Sequence, residues 1–191
     1  MCSWCWAFRP VWKQIREQLP ESITVQNILG GLAPDSHEPM PLEMQNQIRG
    51  FWKAIEGRVP GTQFNYDFWT NCSPRRSTWP ACRAIIAARK QGVKFEEPMI
   101  LAIQKAYYLE AKNPSDSEIL SDLAESLGMD RTTFTDELNS VETQNHLDSE
   151  MQFSRQIGAR GFPSLILMEG DHHQLIHFDY NDPQPALLQL R

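Results

Sequence analysis

Two cysteines three apart, Cys2 and Cys5, open the chain in the run Met1-Cys2-Ser3-Trp4-Cys5-Trp6. Thiols at that spacing either close a disulfide with each other, which makes a reversible two-electron switch, or supply half of a tetrahedral zinc site. Zinc needs two further ligands. The remaining cysteines, Cys72 and Cys82, are separated by nine residues, where zinc knuckles use about two to four. His172 and His173 are adjacent, so in a strand they point to opposite faces and cannot chelate one ion. Redox chemistry is therefore favoured over metal binding, and no metal is expected.

The position of Cys2 decides its reactivity. Trp4, Phe8, Val11, Trp12, Ile15 and Leu19 recur at spacings of three and four, which predicts one amphipathic helix from Trp4 until Pro20 stops it. Cys2 then lies at the helix N-terminus, where unpaired N–H groups and the positive end of the macrodipole favour a thiolate over the ordinary thiol of pKa about 8.5. Cys2 is the expected nucleophile. Cys5, one turn further on the same face, suits a resolving thiol that attacks the mixed disulfide. Pro10 inside the helix deletes one backbone hydrogen bond and predicts a kink.

The elements that must hold this pair follow along the chain. Ile23 to Leu29 is apolar and β-branched and runs into Gly30-Gly31, which reads as a buried strand and turn. From about residue 40 to 157 the signals are helical. Met44, Ile48, Phe51, Trp52 and Ile55 form a stripe; Phe64 to Phe68 fits a short strand or a packed loop; Pro80 opens a small-residue helix ended by Gly92. A helix over about 97–111 comes next. Ser115 with Glu118 makes a capping-box pattern before Ile119, Leu120, Leu123 and Leu127, and further helices run to Leu138 and over about 141–157. Residues 161–168 and 174–180 read as the arms of a β-hairpin, with a terminal helix beginning at Ala186.

Composition bounds the function. The 191 residues are 41% hydrophobic, with six Trp and nine Phe, enough for one good core. A net charge of −6 gives no electrostatic footprint for nucleic acid or an anionic membrane. The segment around Gly128 has helix-turn-helix dimensions, but Asp130, Asp136 and Glu137 oppose phosphate contact. No apolar run spans a bilayer and no leader pattern opens the chain, so a cytoplasmic location is expected. In that compartment a CxxC is more often catalytic or metal-binding than a permanent staple.

The CSWC opening, the following Gly-Gly segment, Phe51-Trp52 through Gly61-Thr62-Gln63-Phe64, Pro80-Ala81-Cys82-Arg83-Ala84 and Gly161-Phe162-Pro163 together resemble the DsbA-type thioredoxin-fold family, most closely its FrnE-like cytoplasmic branch. The resemblance covers nearly the whole chain. It implies an α/β fold: a thioredoxin-like core, residues 1–39 and 158–191, interrupted by an all-helical insertion, residues 40–157. It also implies that Pro163 is a cis-proline facing the active disulfide, where sequence alone favours trans. Trp4, Phe162 and Pro163 are then the substrate-contacting residues. A proline ahead of a strand cannot donate to the ladder, and free polar groups beside it could pair a substrate peptide or glutathione next to Cys2.

Three functions follow. The first is thiol-disulfide exchange with a protein or small-thiol substrate, with no bound cofactor and glutathione as a candidate co-substrate. The second is a glutathione-dependent isomerase or transferase, which does not need Cys5. The third is a binding module whose thiols never cycle. Cys72 and Cys82 read either as a second thiol pair that relays electrons or locks a lid, or as ordinary small apolar residues, the latter favoured because Cys82 sits among alanines. The helical insertion is expected to cap the Cys2 face. A thioredoxin core also needs a central strand directly before its CxxC helix, and only Met1 precedes Cys2. The first core strand is therefore missing from this stretch, and is expected from residues upstream or from another chain.

Overall fold

Helix α1 (Ser3–Arg16) buries Ala7, Phe8, Val11 and Ile15 along the predicted stripe and runs unbroken through Pro10. The computed structural model describes residues 1–190, and α1 is followed by α2 (Leu42–Arg58), α3 (Phe68–Asn71), α4 (Trp79–Gln91), α5 (Glu96–Tyr108), α6 (Ser117–Ser126), α7 (Arg131–Leu138) and α8 (Val141–Gln156). Among the described residues a single hairpin, β1 (Leu165–Glu169) and β2 (His172–Ile176), and the short α9 (Gln184–Leu187) follow. The hairpin is antiparallel, with Leu165 opposite Ile176 and Glu169 opposite His172. Gly170 takes φ +60° in its turn, a conformation that costs glycine little.

Three buried clusters hold these elements. The largest is built on α4, whose Ala81, Ala84, Ile85, Ile86, Ala87 and Ala88 present a short-side-chain face to Met99 and Ile103 of α5, Leu120 of α6, Phe134 and Leu138 of α7, and Leu147 of α8. Small side chains let four helices approach one. The second cluster is aromatic: Trp52 of α2 is fully buried, stacked on Phe64 at 4.8 Å between ring centroids and edge-on to Tyr107 and Tyr108. The third packs α1 against the hairpin and α9 through Phe8, Val11, Ile15, Ile176, Ala186 and Leu187.

Two local expectations are corrected. Ile23–Leu29 forms no strand: the segment has no ladder partner among the described residues, and only Leu29 is buried. Its backbone is held by side chains instead, Leu29 N–H donating to Glu150 at 2.7 Å and Arg89 donating to the Asn27 carbonyl at 2.9 Å. The Ser115 capping box does not form either. Ser115 Oγ donates to the Ser77 carbonyl at 2.7 Å, and α6 begins two residues later behind Asp116. Asp130 and Ser140 do cap, accepting from Thr133 and Thr143 N–H and starting α7 and α8. Phe64 to Phe68, which fits strand or loop by pattern, is a loop leading into α3.

Gly30 and Gly31 make close approaches that a side chain would obstruct. A Cβ on Gly30 would lie 1.9 Å from the Phe162 ring, and one on Gly31, at φ +55°, 1.9 Å from Met151 Sδ. Phe162 thus rests on the extended segment, and α8 lies behind it.

Candidate active site

Cys2 is the N-cap residue of α1, with extended backbone angles, and its carbonyl accepts from Trp6 N–H at 3.3 Å. Its thiol donates to the Phe162 carbonyl at 3.2 Å. Cys2 and the residue before Pro163 are therefore in direct contact across 160 positions of sequence, and the Phe162–Pro163 bond is cis.

The two N-terminal thiols are electrostatically unlike. The neighbouring Cys5 thiol stabilises the Cys2 thiolate and, with the backbone N–H groups of Cys5 and Trp4, outweighs burial, so the Cys2 pKa is lowered to about 6. Cys5 is pushed well up, first by that same hydrogen bond to Cys2 and then by burial. Both thiols are partly buried. The sign of the shift makes Cys2 ionised above pH about 6. Alkylation of the reduced protein by iodoacetamide is accordingly expected to label Cys2 with an apparent midpoint near pH 6, slowing about tenfold per unit below it, while Cys5 is spared. Peptide mass mapping checks this, and preferential labelling of Cys5 would reverse the assignment.

Aromatic side chains fix the first turn. Trp4 is held between Tyr180, at 4.9 Å between ring centroids, and the Arg58 guanidinium at 5.6 Å. Burial, with the two thiols behind it, pushes the Tyr180 phenol up to about 12, so it stays protonated beside them. Trp6 stacks on Tyr108 at 5.7 Å. Burial also pushes Tyr108 up, and Cys2 and Cys5 add to the effect.

A cavity of about 350 Å³ opens at Cys2, Ser3 and Trp4. Its far walls come from the helical segment: Met44, Ile48 and Trp52 of α2, Arg75 to Thr78 ahead of α4, Tyr107 and Tyr108 of α5, and Asn113 to Ser115. The helices thus face the Cys2 end of α1. Cys2 meets Phe162 directly, while Trp4 lines the cavity beside Cys2 and packs on Tyr180. Cys72 and Cys82 are not joined: Cys82 packs against the α4 cluster and Cys72 against the aromatic one, donating to the Ala111 carbonyl at 2.9 Å. Burial pushes both of these thiols up. Sequence reasoning missed Tyr108, Tyr180, Arg58 and Arg76. None lies in a motif, and only the fold brings them to the first turn of α1.

Comparison with known proteins agrees with this architecture. The structure superposes on a Nitrosomonas europaea protein, provisionally described as a protein disulfide isomerase, with TM-score 0.84 and 31% identity over 100% of this chain and 90% of that one. Cytosolic disulfide reductase DsbM of Pseudomonas aeruginosa shares the fold at TM-score 0.78 and 19% identity, covering 100% of this chain and 92% of that one. The ClpXP adapter protein SpxH of Halalkalibacterium halodurans is 23% identical over 178 residues, 87% of this chain and 55% of its own length. SpxH of Bacillus subtilis is 22% identical, over 90% of this chain and 56% of its own length. The chain spans about half the length of these curated relatives. The DSBA-like thioredoxin domain family matches residues 1–189, which is the whole arrangement from Cys2 through the hairpin to α9, and the chain belongs to that family.

Proposed function

We propose that the protein is a cytoplasmic thiol-disulfide oxidoreductase in which Cys2 attacks a substrate disulfide and Cys5 resolves the mixed disulfide. The observation that carries this reading is the split between the two thiols, Cys2 down to about 6 and Cys5 well up. One thiol is ready to attack near neutral pH, and the other keeps its proton until the first has reacted. A glutathione-dependent transferase needs no such partner thiol. Glutathione fits the exchange reading as a co-substrate, and a DsbM structure is described as containing it. The cytoplasmic assignment is supported by the description of DsbM as cytosolic. No described helix is long and apolar enough to cross a membrane.

The SpxH relatives are named as adapters, which favours a second reading in which the domain binds a partner without turnover. Equilibration in glutathione redox buffers separates the two. Exchange predicts one two-electron transition between the dithiol and a Cys2–Cys5 disulfide, followed by intact mass after acid quenching. A midpoint potential near −270 mV implies a reductant, and one near −120 mV an oxidant, the poises of about those values held by thioredoxin and DsbA. A pair that stays reduced across the whole range would leave only the adapter reading.

A further inference from the structure

Apart from the Cys2 thiol, the cavity has no acidic side chain among its described lining residues. Among its lining residues are Gln47, Ser77, Asn113 and the adjacent Arg75 and Arg76, but no aspartate or glutamate, although the chain as a whole carries −6. The two arginines have different fates. Arg75 is used by the fold: its guanidinium pairs with Asp116 and donates to the Ser115 carbonyl at 2.9 Å. Arg76, partly buried in the same wall, has no side-chain hydrogen bond or ion pair among the described residues. A cation in a low-dielectric cleft that no carboxylate pairs concentrates field there and raises the local concentration of anions.

Two further polar groups lie buried behind the same lining. Trp52 Nε1 and Tyr108 OH are buried without a protein hydrogen-bond partner, and both residues border the cavity. Buried polar groups are seldom left unpaired. The free guanidinium in this wall matches a negatively charged ligand, while Trp52 and Tyr108, 0% exposed, lie behind it. The volume of about 350 Å³ lies at the lower end of small-molecule sites, and suits a molecule of a few residues rather than a folded chain.

We infer that this cavity receives the carboxylate-bearing part of a small disulfide, with Arg76 selecting for its negative charge. The inference rests on the exchange reading above and names its substrate class. The Cys2 thiolate attacks one sulfur of RS–SR, forming Cys2–S–S–R and expelling RS⁻, which takes a proton from solvent. Cys5 then loses its proton and attacks the Cys2 sulfur, expelling the second RS⁻. The dithiol is oxidised by two electrons, and the disulfide is reduced to two thiols.

Single-turnover mixing of the reduced protein with oxidised glutathione, which is anionic, or with bis(2-hydroxyethyl) disulfide, which is neutral, tests this. The quantity read is the ratio of the two second-order rate constants. Arg76→Gln is expected to lower that ratio about tenfold, the usual worth of a charge-assisted hydrogen bond, and Arg76→Lys to restore part of it. An unchanged ratio overturns the charge-selecting role of Arg76 while leaving the exchange reading intact. Binding of oxidised glutathione to the Cys2→Ser protein, followed by calorimetry, removes the chemistry from the test. Loss of that binding in the Cys2→Ser, Arg76→Gln double variant supports the subsite even if no exchange occurs, and equal binding in both variants overturns it.

Discussion

Cys2→Ser is expected to abolish thiol release from oxidised glutathione, by about a thousandfold or more, whereas Cys5→Ser accumulates a stable mixed disulfide on Cys2. The argument is one of order. Only at Cys2 do the donors outweigh burial: the Cys5 thiol and the backbone N–H groups of Cys5 and Trp4 hold it near 6, whereas at Cys82 the Gly31 N–H does not offset burial. A serine hydroxyl in the same place stays protonated at neutral pH and cannot open a disulfide. Removing an activated nucleophile outright typically costs several orders of magnitude. Cys5→Ser leaves the hydroxyl as a weaker donor to Cys2, so its first step should slow modestly and its second should stop. Intact mass of the quenched reaction reads both results, showing no adduct on one variant and a single adduct on the other. Exchange retained in Cys2→Ser, or an adduct mapped to Cys72 or Cys82, would mean that a different thiol carries the chemistry.

How far the sequence showed this site depends on the range of the interactions involved. Cys2 at the start of α1 was legible because the CxxC spacing and the apolar stripe are both local, and the Cys5 thiol one turn on and the helix-end N–H groups together supply the electrostatics. Pro163 beside it was legible only through the family resemblance. Ile23–Leu29 failed for an opposite reason. Its β-branched composition describes a preference for extended backbone, but a strand also needs a neighbour, and here the Glu150 carboxylate and the Arg89 guanidinium take up the backbone groups of Leu29 and Asn27. Ser115 failed similarly, its hydroxyl being taken by the Ser77 carbonyl 38 positions away. Arg76 carries no local signal at all. It differs from Arg75 in that Asp116 and the Ser115 carbonyl take up the Arg75 guanidinium, a fact of three-dimensional position.

Glu150→Ala is expected to be the most destabilising single substitution near the site, costing about 3–5 kcal/mol. The Glu150 side chain is 9% exposed. One carboxylate oxygen pairs with Arg89, and the other accepts from Leu29 N–H at 2.7 Å. Truncation therefore leaves a guanidinium, 18% exposed, that keeps only Glu96, at 2.6 Å, and the Asn27 carbonyl, together with a buried N–H that has lost its acceptor. Each loss is expensive because water cannot readily replace the missing partner. The consequence reaches the thiols through packing. Leu29 is followed by Gly30, on which the Phe162 ring rests, and the Phe162 carbonyl accepts from Cys2. Loosening residues 27–31 should therefore move that carbonyl and shift the midpoint of Cys2 alkylation, although Glu150 touches neither cysteine. Glu150→Gln keeps an oxygen for Leu29 N–H and should cost less than the alanine change. Chemical denaturation of both variants, with the Cys2 alkylation profile measured under native conditions, provides the check. A Glu150→Ala protein within about 1 kcal/mol of wild type, too little for a buried charge left without its main partner, would show that Glu96 alone satisfies Arg89 and that the 27–31 segment is held by packing rather than by this carboxylate.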